Sequence, residues 1–329
     1  MTGRRSATRC ISLILLLSVT PMWAVATEVW LAGEDPVVQQ QKHKQVPADY
    51  MDLFKPDAPW SASASGLKVF KISTQIALHG TDQQLHAVID DLRRRHIALA
   101  VEMGLMVGSD SCGKGVEGYG NPNTVEATAR HIKSLGGTVD YVAMDEPVWF
   151  GHIFGIGSGG RVGCRYPLPV LADQIVAKIA LLRQYFPNIE VGDIEPVNAN
   201  KWGGPQSIAD IVTFENLLRQ RTGGMPTFVH TDMAWAIPGW QPLLENLATR
   251  LHANGMRVGV ICDGDANVGG DEAWVRQALQ RCQTTVADPR VRPDDLIVQT
   301  WEPLPTKMLP ETNPAALTYE AVQVLKMAH

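Results

Sequence analysis

Acids close the apolar runs of this chain. The stretch VDYVAMDEP (139–147) climbs through a run of buried type and stops on Asp145, Glu146 and Pro147. Glu34, Glu102, Glu195, Asp263 and Glu302 end other such runs, Asp193 stands two residues before Glu195, and His230 and Asp232 stand near the end of one more. Two carboxyls brought together can divide the labour of proton transfer. Burial and mutual repulsion hold a proton on one near neutral pH, which makes it a general acid, while its partner stays charged as base or nucleophile. Tryptophans keep the same company: Trp149, Trp202, Trp235 and Trp301 follow or end these runs. Each offers a flat apolar face with one polar handle. Paired acids beside such platforms suit a carbohydrate. Cleaving a glycosidic bond takes one carboxylic acid to protonate the leaving oxygen and a second carboxylate as nucleophile or base.

The elements that must position these residues alternate along the chain. Strand-type runs are EVWLAG (28–33), LKVFKIS (67–73), IALAVEM (97–103), VDYVAMD (139–145), IEVGDIE (189–195), TFVHTDM (227–233), RVGVICD (257–263) and LIVQTWE (296–302). Between them come stretches of helical period, among them TDQQLHAVIDDLRRR, LADQIVAKIALLRQYF and WQPLLENLATRLHAN. Eight strands alternating with helices predict parallel strands joined by crossovers, and eight is the number that closes a (β/α)8 TIM barrel. The loops agree. Helix-to-strand connections are short, whereas strand-to-helix connections are long at roughly 34–48, 104–121 and 146–168, and in this architecture the latter build the functional face. The expected organisation is one α/β barrel domain over 27–329. GIGSGG (155–160) fits a dinucleotide-binding pattern on paper but neither follows a strand nor opens a helix, so it reads as a loop.

Two short motifs carry a resemblance. MDEP (144–147) resembles the strand-four Asn-Glu-Pro signature of the large clan of (β/α)8 glycoside hydrolases, and TWEP (300–303) is similar to the strand-eight segment whose tryptophan floors the sugar site there. The resemblance implies that Glu146 is the acid/base, that Asp145 stands where the clan's Asn binds a sugar hydroxyl, and that Trp301 is the platform. The sequence departs from the clan on strand seven, where VICDGD supplies Asp263 and Asp265 in place of the nucleophilic Glu. Glu302, Glu195 and Asp263 are therefore equal candidates for the second catalytic carboxylate. Asp145, His152, Asp193, His230, Asp232, Glu102 and Glu34, with the four tryptophans, are expected to contact substrate.

Two other readings stay open. Enolase-type barrels hold a metal on acids at the ends of strands three, four and five, where Glu102, Glu146 and Glu195 fall. A carbohydrate-binding barrel without catalysis would keep the cleft alone. The DGDANVGGDEAW loop opens like a calcium site but lacks the required Gly and Glu, and His230-x-Asp232 is too sparse for zinc. No cofactor and no metal are expected.

Residues 1–26 read as a signal peptide, with Arg4, Arg5 and Arg9 before a short apolar core and Ala24-Val25-Ala26 at the cleavage site. The protein is thus expected in the periplasm or medium, without membrane insertion. The formal charge of −5 becomes three units more negative when the leader departs, which argues against nucleic acid as partner. Of the cysteines that remain, Cys112 and Cys164 lie in the long loops. One bridge there, or four free thiols, are the two readings.

Overall fold

The computed structural model describes residues 27–38, 47–198, 204–224 and 228–328. The leader lies outside them. Eight strands close a barrel: β1 (Glu28–Ala32), β2 (Val69–Ser73), β3 (Ala98–Met103), β4 (Tyr141–Asp145), β5 (Glu190–Val197), β6 (Phe228–Met233), β7 (Arg257–Cys262) and β8 (Asp295–Gln299). Each pairs in parallel with its sequence neighbours, and β1 pairs with β8 to close the ring. All eight strands expected from the sequence are present, most within one or two residues of their expected ends.

Alternation along each strand sends every second side chain inward. The interior is filled by Trp30, Val69, Ala100, Tyr141, Ala143, Ile194, Phe228, Ile261 and Ile297. Large rings from β1, β4 and β6 meet edge to face, Trp30 with Tyr141 at 5.0 Å and with Phe228 at 5.3 Å between centroids. They fit because the neighbouring strands withdraw. A Cβ on Gly192 would come within 2.3 Å of the Phe228 ring, and one on Gly259 within 2.4 Å of His230. The N-terminal end is closed by charge: Arg257 bonds Glu28 at 2.6 Å and also reaches Asp295, which faces His230.

The helices pack outside by their own apolar stripes. Asp82–Arg95 shows why a helix forms where it does. Thr81 and Gln84 make a reciprocal capping box at its start, a device whose loss costs about 1 kcal/mol. Leu85, Val88, Ile89 and Leu92 recur at helical spacing and are buried. Arg93, Arg94 and Arg95 complement the dipole of the last turn, and His96 leaves it with φ of 60°. Two short helices, Ser61–Gly66 and Thr74–His79, had no clear period in the sequence. No helix of the described residues is long and apolar enough to cross a membrane.

The long loops after β3 and β4 sit together over the C-terminal rim. The segment after β3 contains a small parallel ribbon, Met106–Val107 with Tyr119–Gly120. The segment after β4 begins with a turn at Trp149–Ile153 and folds back through an Ile156–Val162 bridge. Cys112 and Cys164 join these two segments in a disulfide, the first of the two readings. A second pair, Cys262 with Cys282, ties the end of β7 to helix Asp271–Val286 and had no counterpart among the expectations.

Candidate active site

At the C-terminal rim the barrel opens into a cavity of about 1370 Å³. Its base is the last inward layer of the strands: Lys71 and Ser73 on β2, Glu102 on β3, Asp145 on β4, Asp232 on β6 and Gln299 on β8, with Trp301 just beyond. Lys71 is fully buried, and its Nζ donates to Glu102 Oε2 at 2.6 Å. Gln299 Nε2 donates to the same oxygen at 3.1 Å. Trp301 packs against the interior cluster and presents the remainder of its ring to the cavity.

Glu146 also lines this cavity, although it directly follows Asp145. In a regular strand adjacent side chains point to opposite faces. Here Glu146 adopts a left-handed conformation, with φ of 45°, and both carboxyls reach the same space. A non-glycine residue held there costs roughly 1–3 kcal/mol and persists only where its surroundings enforce it. Those surroundings are visible. Glu146 N donates to Ile194 O on β5 at 3.1 Å. Its C-terminal side enters a helical turn whose free N–H groups at Val148 and Trp149 both donate to the Glu195 carboxylate. The Glu195 carboxyl is therefore a cap that satisfies the orphan donors of that turn.

The electrostatics single out one pair. Burial pushes Glu146 well above the usual carboxylate range, and the largest neighbouring charge acting the same way is Asp232, ahead of Asp145, Glu195 and Glu117. Asp232 is itself pushed up to about 7, by burial and then by Glu117, Glu102 and Glu302, with Lys71 drawing it back. Near neutral pH the proton therefore rests on Glu146, while Asp232, raised to about 7, carries part of the negative charge.

One wall of the cavity is made by the disulfide-joined loops. Glu117 reaches the cavity from this wall. Gly118 follows it with φ of 75° and stands so close to the carbonyl of Asp145 that a Cβ would lie 2.3 Å away. Only glycine fits this approach. Gly118 N donates to Asp145 Oδ2 at 3.2 Å, which fastens the loop to the end of β4. Tyr119 Oη donates to Phe150 O, Tyr166 Oη donates to Val107 O, and Gly113 N donates to Val162 O at 2.7 Å.

The expected site residues divide. Glu34, Glu102, Asp145, Glu146, Asp232 and Trp301 meet at the cavity. Glu195 and Asp193 do share a face, but it is the helix side of β5. Asp193 lies against Glu215 of helix Pro205–Thr222, and burial raises all three carboxyls, Glu215 to about 8. His230 lies one layer below the rim, its ring 4.5 Å from Phe228 and its Nε2 3.4 Å from Asp295. Asp263 accepts from Trp235 Nε1 at 2.6 Å and faces Arg281. Burial, reinforced by Asp232, raises it to about 8. Trp235 stacks edge-on with Trp240. Trp149 stands among Phe150 and Phe154, and His152 bonds the Tyr166 carbonyl. Glu302 stays beside the rim, close enough for its charge to act on Asp232. Trp202 falls outside the described residues.

Three site residues escaped the sequence reading as site residues. Lys71 was legible as a charge within an apolar strand, two residues before its end. Gln299 carries no charge to draw notice, and Glu117 sits in a loop without period.

No family model matches the chain, and no curated protein matches it in sequence. In fold it is similar to a GH10 endoxylanase retrieved from a sugarcane soil metagenome, with 11% identity over 92% of this chain and 97% of the other, at a TM-score of 0.52. Weaker likenesses include a psychrophilic glycoside hydrolase family 10 endo-beta-1,4-xylanase, with 9% identity, 84% and 86% coverage and a TM-score of 0.48. Xylanase 10B from Thermotoga maritima has 12% identity, 85% and 84% coverage and a TM-score of 0.46. At such identity the first likeness establishes the architecture: this chain is a (β/α)8 barrel.

Proposed function

We propose that the chain is an exported glycoside hydrolase that cleaves a poly- or oligosaccharide, with Glu146 as general acid and Asp232 as its carboxylate partner. The observation that carries this reading is the Glu146–Asp232 pair at the rim: both carboxyls line the cavity beside Trp301, Asp232 is the largest neighbouring charge raising Glu146, and Asp232 is itself raised to about 7. Protonated Glu146 gives its proton to the glycosidic oxygen as the bond to the anomeric carbon breaks. Asp232 meets the positive charge that develops on the ring, by direct attack or by deprotonating a water. Trp301 holds a sugar face, and the Lys71–Glu102–Gln299 group and Asp145 are placed to contact hydroxyls.

Asp232 takes the role for which Glu302, Glu195 and Asp263 were the candidates. Glu195 is engaged by two backbone N–H groups, and Asp263 by Trp235 and Arg281. The same engagement of Glu195 removes it from the ligand set that a metal on strands three, four and five would need. The xylanases of similar fold lend an analogy of architecture, which by itself does not transfer an activity. Export rests on the N-terminal pattern and sits well with two disulfides, which persist in oxidising compartments. The test is hydrolysis of a glycan panel by wild type, Glu146→Gln and Asp232→Asn, with and without chelator. Turnover lost in both variants and unmoved by chelator supports the reading.

A further inference from the structure

A charge stands where the barrel wall would take an apolar residue. Along β2 the inward positions climb from Val69 in the interior cluster through Lys71 to Ser73 at the rim. Lys71 is 1% exposed, and lysine is almost never buried so deeply unless it is paired. Its partner is Glu102 on β3, whose Oε2 accepts Lys71 Nζ at 2.6 Å and Gln299 Nε2 from β8 at 3.1 Å. Ala32 of β1 stands level with both Lys71 and Gln299 in the strand ladders, so one tier of the wall carries the group. Stability does not account for it. A buried ion pair exchanged for well-packed apolar residues is often neutral or stabilising. What sets the pair apart is its place at the base of the cavity that Asp232 also lines.

Acids surround Asp232. Glu102 acts on it from β3, Glu117 from the loop beyond, and Glu302 from the segment after β8. Asp145 and Glu146 share its cavity from the end of β4, and Asp263 interacts with it from the end of β7. Like charges so placed disfavour a carboxylate, and Lys71 is the cation that acts against them. We propose that Lys71 is a positioning residue: paired with Glu102, it holds negative charge on Asp232, where the sugar ring develops positive charge. That role rests on the proposed hydrolysis, whereas the effect of Lys71 on Asp232 can be read without any turnover.

The experiment follows the Asp232 carboxyl against pH by carbon-13 NMR, its resonance assigned by its loss in Asp232→Asn. Wild type, Lys71→Met, Glu102→Gln and the double variant are compared. Lys71→Met should move the midpoint upward by about one pH unit or more. Glu102→Gln should move it downward, and the double variant should return toward wild type because both charges are gone. The acid limb of kcat/KM should follow each midpoint, since Asp232 acts in its charged form. If Lys71→Met does not fold, the step from Glu102→Gln to the double variant also removes Lys71 and should still be upward. A midpoint unmoved by loss of Lys71 in either background overturns the proposal, and turnover by wild type would then leave the glycosidase reading standing. The expected shifts with no turnover of any glycan would uphold the hold of Lys71 on Asp232 and sink the glycosidase reading.

Discussion

The carboxylate of Glu195 accepts the backbone N–H of Trp149 at 3.1 Å, and that of Val148 beside it. These are the first free donors of the turn that follows Glu146 and Pro147. A residue of β5 that does not line the cavity thus fixes the conformation of the one acid that the proposed chemistry needs. The strained φ of Glu146 is held between this cap and the bond from Glu146 N to Ile194 O.

Replacing Glu195 by Gln leaves one N–H facing an amide donor. The expected loss is about 1–3 kcal/mol of stability, read by urea melts. In kinetics kcat should fall about tenfold or more with KM little changed, because the proton donor is displaced while the cavity is not. An unchanged kcat in a folded variant would show that the cap does not position Glu146.

Asp193 and Glu215 predict how stability depends on pH. Neither carboxyl meets a donor among the described residues, so the contact between them is joined by a proton. Both are raised in the folded state, Glu215 to about 8. An unfolded carboxylate titrates near 4. Between these values the folded protein binds more protons than the unfolded chain, so the contribution is full only below about pH 4 and is lost progressively as pH rises from there toward 8. The scale is about 1.4 kcal/mol per unit of separation. Calorimetry from pH 5 to 8 should show a falling Tm, and Glu215→Gln should flatten that fall. Glu195, Asp263 and Glu320 are raised as well and act in the same sense, so some slope remains in the variant. A Tm that climbs across this range would contradict the assignment.

The Cys112–Cys164 bridge closes a separation of 52 residues. Loop-closure entropy alone sets its contribution at about 4 kcal/mol, an upper bound if the loops keep their other bonds when reduced. Cys112→Ser with Cys164→Ser should lower stability by up to that amount. Turnover should fall too, since this wall carries Glu117, whose charge acts on Asp232 and Glu146. Full activity in the double variant would separate the bridge from the site.

Much of the fold was legible because a barrel strand announces itself twice, by an apolar run and by the acid or turn that ends it. Glu146 was legible for the same reason, standing between an apolar run and Pro147. The assignment of faces was not. Both sides of a barrel strand are buried, one by the interior and one by helices. Alternation therefore shows that Asp193 and Glu195 share a face but leaves unsaid which face it is. Depth was equally hidden: His230 and Asp232 both point inward, yet one lies among Trp30 and Phe228 and the other at the rim. Glu117 and Gln299 gave no signal, because loops lack period and a lone amide looks like any polar residue.

Asp232 offers the sharpest stereochemical reading. If it attacks the anomeric carbon, the first product keeps its configuration, and if it deprotonates water, the product is inverted. Proton NMR of the first product, taken before mutarotation, distinguishes the two. In either case Asp232→Asn should lose about a hundredfold or more in kcat. Retention of full activity would move the partner role to another carboxylate.

The central claim is tested most directly by release of reducing ends from a panel of plant, microbial and amino-sugar polysaccharides, with wild type and Glu146→Gln run side by side. The account predicts release by wild type and a loss of about 10²–10⁴ in the variant, with binding preserved and chelator without effect. Equal turnover by the folded variant would contradict it, because the proton donor would then lie elsewhere.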